Sequence, residues 1–513
     1  MTPGLTPGKA YLPVGEGPPD LSKVDWSAAP NPFKHYSAAK KLALPAPGAT
    51  AQLSQLGVFF AEVAGLTRQR FKHPEASTLE RDLTTPVSFS NSLDLLRSVP
   101  SGGALHPYEL YLLVSQDSQL AGGLYHYNVL EHALECLIEA DVSVALARIT
   151  RTSDISTRTL VLGCCFSRNA FKYQDFSYRV QSIDLGVVIG QSEAAAARLG
   201  WAVNVRYQFD DDRLDRLLGL DSFTEASYVM IEFGDRHEIG GTPDTPNPPE
   251  PPSPPQADGA KPPPFSQWSN WEDLHRSART PFRNEGRLEG VLELPTAQHP
   301  IVLPIPQGMT VPLEAVWRRQ SAMHAFAHQP LSFEQFARLC SAADGYLNDT
   351  LSKSHSALYA IVNAVKGLEM GIYRYFSGSR NLEKLRQDDA RIELLNTFGG
   401  PSQNAFEVSV GFFAVGNYER GFAAGGDRWY RIQNMDAGVI VARLYRSASA
   451  LGLACHANLN YKVRVADRML GLEPPWTSLI QVLVGGLAPN GRKLDMSLIA
   501  TDLTNTKGAS ACL

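Results

Sequence analysis

Lys172 and Tyr173 stand side by side in the stretch NAFKYQDFSYRVQSIDLG, which begins at Asn169. An amine next to a phenol is a proton-handling pair. A phenol with its ordinary pKa of about 10 is a poor base at neutral pH, and an adjacent ammonium favours its phenolate form. The amine could equally stabilise an anion that forms on a neighbouring group. The plain alternative is a surface lysine beside a packed tyrosine. On an extended segment the two side chains would point to opposite faces. Upstream, Ser98–Val114 reads SVPSGGALHPYELYLLV. Ser101, Gly102, Gly103 and Ala104 form a small-residue turn before a strand, where the backbone can approach a ligand and aim amides and a hydroxyl at it. A Gly-Gly pair can also be nothing more than a turn.

The frame around Lys172 occurs twice. Tyr178–Asp221 aligns with Tyr430–Glu473 without a gap, and both begin Tyr-Arg-x-Gln-x-x-Asp-x-Gly. Further matches are DRLLGLD with DRMLGLE and GGLYHYN with MGIYRYF. The chain is a diverged tandem duplication. Lys172 and Tyr173 face Ala424 and Gly425, so the frame is kept twice and the reactive pair once.

The elements that must position these residues follow the same order in each copy. A helix comes first (LSQLGVFFAEVAGL; LSFEQFARLCSAADGYL). Strands with β-branched and aromatic residues follow (YELYLLV, GLYHY, TLVLGCCF; SALYAIVNAV, GIYRY, EVSVGFFAV). Next come a long small-residue helix, a strand, a short helix and a strand. This predicts an α+β fold, with an antiparallel-type sheet flanked by helices in each copy. The long helix is apolar on most faces and is expected to lie buried between the copies, with Gly200 and Gly452 as its C-terminal stops. The proline-rich stretch GGTPDTPNPPEPPSPPQADGAKPPPF reads as a semi-rigid linker. The resulting division is an extended arm over 1–45, a first domain over 46–238, a linker over 239–266, a second domain over 267–500 and a tail over 501–513. Within the arm, VDWSAAPNPFKHY carries aromatic anchors that could dock it on the body.

Composition narrows the function. The 47 basic and 52 acidic residues give a net charge of −5 without a Lys/Arg-rich block, which argues against a nucleic-acid or anionic-membrane surface. The six cysteines show no metal-ligand spacing and read as reduced thiols, and no metal site is expected. No signal-peptide pattern or bilayer-length apolar run is present, so the expectation is a cytoplasmic protein.

The segments SVPSGGALHPYELYLLV, GGLYHYNVLEHALECL, FKYQDFSYR and RLGWAVNVRYQFDDDRLDRLLGLD together resemble the SagB/ThcOx-type dehydrogenases of the FMN-dependent nitroreductase superfamily. The second copy and the DWSAAPNPFKHY opening look like a double-length branch of that family. The resemblance implies two nitroreductase-like domains forming an internal pseudo-dimer, with FMN at the interface. It implies that one half contributes an Arg- and Ser-containing phosphate motif and the other the Pro-Ser-Gly-type turn. Here the second copy offers Arg318, Arg319 and Ser321 in WRRQSAMHAF, and Arg492 and Lys493 in APNGRKL; the first offers PSGGALHP. Cations around a helix start suit a phosphate. Arg318 and Arg319 could also be solvated arginines on a helix face. The opposite interface has only NPFKHYSAAKK and KSHSALYA, which implies one good site and one degenerate site.

By the same resemblance, Lys172 and Tyr173 match a pair used in azoline dehydrogenation, with hydride passing to flavin N5. The substrate would be a heterocycle in a small molecule or peptide. Departures lie at Asp184-Leu185-Gly186-Val187 and at Tyr207 and Gln208, so the substrate side of the pocket is expected to differ. Two alternatives stand beside this reading: an NAD(P)H-driven nitro or quinone reductase, and a non-catalytic flavin-binding scaffold. Asp210, Asp211 and Asp212 read as a helix start rather than a metal site. His106 reads either as a turn residue entering a strand or as part of the flavin pocket's lining, and Tyr125, Tyr127, Tyr373 and Tyr375 as strand packing rather than stacking platforms.

Overall fold

Two long helices set the architecture. Ser177–Arg198 and Trp429–Ala450 are buried along most of their length and cross in the middle of the molecule. A β-carbon on Gly186 would overlap the carbonyl oxygen of Met435, and one on Gly438 the carbonyl oxygen of Ile183. These are one contact seen from either copy. The repeated Asp-x-Gly is therefore a steric requirement, because only a residue without a side chain lets the two backbones approach this closely.

The computed structural model describes residues 19–497 apart from 21–23, 27–28, 49, 52, 73–92, 116, 118, 240–250, 260–269, 280–298, 307–310, 320, 322–325, 345–354, 378, 400–403 and 489–492. The first sheet runs Lys40–Ala43, Ala133–Ile138, Gly123–Asn128, Tyr108–Val114, Asp154–Cys165, Glu225–Glu238, Val203–Arg206, all antiparallel. The second repeats that order: Pro300–Val302, Asn381–Arg386, Gly371–Phe376, Ala357–Val362, Val410–Asn417, Trp476–Leu487, with Leu453–Asn458 and the short Phe326–Ala327 both paired to Trp476–Leu487. The two crossing helices lie between these sheets. One apolar core runs through both copies, from Phe59 and Phe60 of the helix Ser54–Val63 to Phe336 of the helix Phe333–Asp344. The mixed helix and antiparallel-sheet class expected from the sequence is the one observed. Gly200 and Gly452 follow the long helices with positive φ, as helix stops do.

A third sheet ties the copies together. Lys493–Ser497 pairs with Leu66–Lys72, which pairs with Leu93–Arg97 just before the Ser101 turn. The arm is docked as well. Lys34 Nζ donates to Tyr111 and Glu225 at 2.7 Å each, Arg97 donates to the carbonyl of Pro32, and Arg168 to that of Asn31. The described part of the linker is not a free spacer. Ser37 donates to both carboxylate oxygens of Asp258, and Pro254 packs against Gly219.

The stretch around Lys172 is helical rather than extended. Ser167–Tyr173 forms a helix, and Tyr418–Gly425 is its counterpart in the second copy. The strand alternation that would have split Lys172 from Tyr173 does not apply.

Candidate active site

The turn at Ser101 is held from below by Asp184, one of the shared-frame residues on the first long helix. Ser101 Oγ donates to Oδ2 of Asp184 at 2.6 Å, and the Gly102 amide donates to Oδ1 at 2.9 Å. The His106 amide closes the turn by donating to Ser101 Oγ at 2.9 Å. Burial pushes the Asp184 carboxyl up to about 7, against the opposing pull of the Ser101 and Gly102 hydrogen bonds. Above this anchor, Gly103 (φ 63°) and Ala104 (φ 58°) take left-handed conformations and are exposed. The backbone at the crest of the turn is open to a ligand.

Lys172 and Tyr173 come to that crest from the end of their helix. A β-carbon on Gly103 would lie 2.6 Å from Nζ of Lys172 and 2.6 Å from Oη of Tyr173. The lysine ammonium lies over the Tyr173 ring, 5.0 Å from its centroid, and makes no hydrogen bond or ion pair among the described residues. Burial lowers the Lys172 pKa. Burial first, and the charge of Asp184 second, raise that of Tyr173. The expected phenolate is therefore not favoured. Desolvation outweighs the neighbouring cation, and the group moved toward its neutral base form is the amine.

The second copy reaches the same place. Leu459 packs with Leu105 against Tyr173, Phe176 and Val180. Arg319 Nε donates to the carbonyl of Ser98 at 2.8 Å, and Arg68 Nη2 donates to the carbonyl of Arg319 at 2.7 Å. A cleft beside the turn is lined by Ser98, Val99, Pro100, Arg319, Tyr445 and Arg446. Arg319 is desolvated and, among the described residues, no carboxylate neutralises it. Nη1 of Arg97 and Oγ of Ser98 are buried without a hydrogen-bond partner. Unpaired donors and an uncompensated guanidinium beside an open backbone turn fit an anionic, hydrogen-bonding cofactor. Ser321 Oγ lies 3.3 Å from Tyr445 Oη and 3.5 Å from His456 Nδ1. Arg318 is exposed. Lys493 lies in the strand paired to Leu66–Lys72, and Arg492 is outside the described residues.

At the other interface the residues before the strand Ala357–Val362 lie outside the described ones up to 354, and the described side chains nearby are engaged with one another. Asp436 accepts from Ser356 Oγ at 2.6 Å and from the His355 amide at 3.0 Å, a partial copy of the Asp184 anchor. Trp429, fully buried, occupies the start of the second long helix where the first copy has Ser177, and its ring meets His355 edge-on. Arg428 donates to the carbonyls of Ala278 and Tyr207 and pairs with Asp211. Lys34, one of the lysines in NPFKHYSAAKK, donates to Glu225 and Tyr111.

Other residues behave as packing. Asp210 accepts from the Arg213 amide at the start of the helix Asp211–Leu218. His106 Nδ1 lies 3.0 Å from Tyr108 Oη, and Tyr125, Tyr127, Tyr373 and Tyr375 are buried. Sequence reasoning missed Asp184 as an anchor, although its recurrence as Asp436 in the shared frame was the available signal. It also missed Arg68 and Arg97, although Arg97 directly precedes the Ser98–Val114 stretch.

The nitroreductase family model matches residues 82–235. The trifolitoxin-processing protein TfxB of Rhizobium leguminosarum bv. trifolii is 32% identical over 157 residues, 28% of this chain and 42% of TfxB. The microcin B17-processing protein McbC of Escherichia coli is 28% identical over 167 residues, 31% of this chain and 61% of McbC. The match thus spans less than two thirds of either relative. A crystal structure from Anabaena variabilis, described as that of a nitroreductase, superposes with a TM-score of 0.72 at 21% identity and covers 93% of this chain and 99% of its own. That likeness shows that the fold extends over nearly the whole chain. Residues 82–235, which hold the Ser101 turn, Lys172, Tyr173 and Asp184, are a nitroreductase-family domain.

Proposed function

We propose that the chain is an FMN-dependent dehydrogenase of a heterocycle in a peptide-derived substrate, built from two nitroreductase-like units (46–238 and 267–500) around one competent interface. The observation that carries this reading is the convergence of Lys172 and Tyr173 on the exposed Gly103 turn. Its relatives TfxB and McbC are processing proteins of trifolitoxin and microcin B17, which supports a peptide substrate. Ser101–Ala104, Arg319 and Ser321 would hold FMN, with Arg97 and Ser98 supplying unused polar atoms; when bound, FMN supplies a two-electron acceptor for hydride.

The chain's own residues account for the rest. Converting an azoline to an azole removes one hydrogen as hydride and another as a proton. Lys172, shifted toward its neutral amine, takes that proton on Nζ. Tyr173 remains a phenol and donates a hydrogen bond from Oη. Asp184 fixes the turn through Ser101 and Gly102 so that both side chains meet the same backbone surface. The lack of a second Lys-Tyr pair in the sequence, where Ala424 and Gly425 stand, together with Trp429 against His355 and Arg428 paired to Asp211, supports a single flavin per chain.

The test is turnover of a thiazoline-containing synthetic peptide by the full chain loaded with FMN under air. Loss of two hydrogens by mass supports the reading. No conversion, together with NAD(P)H oxidation that survives Lys172→Ala and Tyr173→Phe, would instead favour a reductase acting at the open crest of the turn.

A further inference from the structure

Lys172 is enclosed from the solvent side by a residue outside the nitroreductase-family domain. Trp26, in the arm, lies with its ring centroid 5.2 Å from Lys172 Nζ and meets Phe171 edge-on at 5.8 Å. The ammonium is thus sandwiched between Trp26 and Tyr173, with Gly103 as the third wall. Trp26 is itself 59% exposed, so it covers Lys172 from outside rather than packing into the core. The following arm segment is pinned by Arg168 to Asn31, by Arg97 to Pro32 and across the Phe33 ring, and by Lys34 to Glu225. Two of these anchors connect to the turn itself, because Arg168 also donates to the carbonyl of His106 and Arg97 belongs to the strand leading to Ser101.

We propose that Trp26 is a positioning residue of the active site, the outer wall that holds the Lys172 amine at the Gly103 turn and partly excludes water from it. The inference rests on Lys172 being the proton-handling group. It makes the arm a working part of the enzyme. The groups facing Lys172 are Tyr173 on its own helix, Gly103 of the turn with Asp184 beneath it, and Trp26 of the arm, where Asp25 is the adjacent acid.

The test labels the full chain with acetic anhydride across a pH series and reads modification of Lys172 by peptide mass, in wild type, Trp26→Ala and Trp26→Phe. Melting curves identify any variant that fails to fold. Removing the wall rehydrates the amine, so the labelling midpoint in Trp26→Ala moves up by about one pH unit or more, toward the ordinary lysine range. Trp26→Phe, which keeps an aromatic wall, retains the wild-type midpoint. One common midpoint for all three proteins would overturn the proposal. Labelling needs no substrate, so absence of thiazoline turnover would count against the proposed reaction and leave this result to be read separately.

Discussion

Gly103 and Lys172 are so close that a β-carbon on the glycine would lie 2.6 Å from the lysine Nζ, while the glycine itself holds φ at 63°. Sterics and backbone conformation both demand glycine there. Gly103→Ala is predicted to cost about 1 kcal/mol of stability from the left-handed conformation alone. The displaced amine and phenol should lower turnover by tenfold or more, on the order of what misplacing a reacting group costs. Melting curves and steady-state rates on the same preparations check both. Unchanged turnover would show that Lys172 and Tyr173 do not need their present seats.

Lys172→Ala and Tyr173→Phe should each cut turnover by about 10²-fold or more while leaving bound flavin nearly unchanged, since neither side chain is among the proposed phosphate-binding groups. Flavin content by absorbance separates the outcomes, and loss of flavin in both variants would make the pair structural. The pH dependence has a definite sign. The active form carries neutral Lys172, and burial lowers that pKa from 10.5, so the rate should rise with pH through a midpoint below 10.5. A rate that falls across this range would assign the proton acceptor elsewhere.

Asp184 predicts a pH-dependent stability. Its folded pKa is raised from 3.8 to about 7, so the folded state binds the proton more tightly than the unfolded state. The stability this contributes is fully present below 3.8 and lost as pH rises through about 7. Asp184→Asn removes that dependence. The melting temperature of the variant relative to wild type should climb across this window and level off above it. A difference that stays constant with pH would show that the carboxyl is not desolvated as the structure has it.

Gly186→Ala and Gly438→Ala should be destabilising by about 1–3 kcal/mol each, the usual cost of forcing an added methyl into a packed crossing. Because each β-carbon would meet a backbone oxygen of the opposite helix, neighbouring side chains cannot simply rotate away. Denaturant melts of the two variants should give similar losses, as the pseudo-twofold relation requires. A loss confined to one glycine would break that symmetry.

Much of this was legible in the residues because it was written twice. The shared Tyr-Arg-x-Gln-x-x-Asp-x-Gly frame marks the buried helix crossing, and the small residues of Ser101–Ala104 mark the open turn. What the sequence could not supply was distance and solvation. The helical setting of Lys172 and Tyr173 was hidden because a short helix ending in aromatic residues has no strong periodicity. The reversal of their expected protonation comes from burial, which outweighs a neighbouring charge only once packing is known. Arg97 and Arg68 approach the site from neighbouring strands of the third sheet and Trp26 from the arm; the arm's aromatic residues pointed to docking, but nothing in the local pattern pointed to Lys172. The pairing of Arg428 with Asp211 of the first copy likewise depends on where two copies press together.

The proposed enzyme has one working flavin interface per chain, at the Gly103 turn. The most direct measurement is titration of the flavin-free full chain with FMN, followed by absorbance and protein quantitation, in wild type and Arg319→Ala. Wild type should saturate at one FMN per chain, and Arg319→Ala should bind markedly more weakly. Saturation at two, or no binding at any FMN concentration, would contradict the proposal.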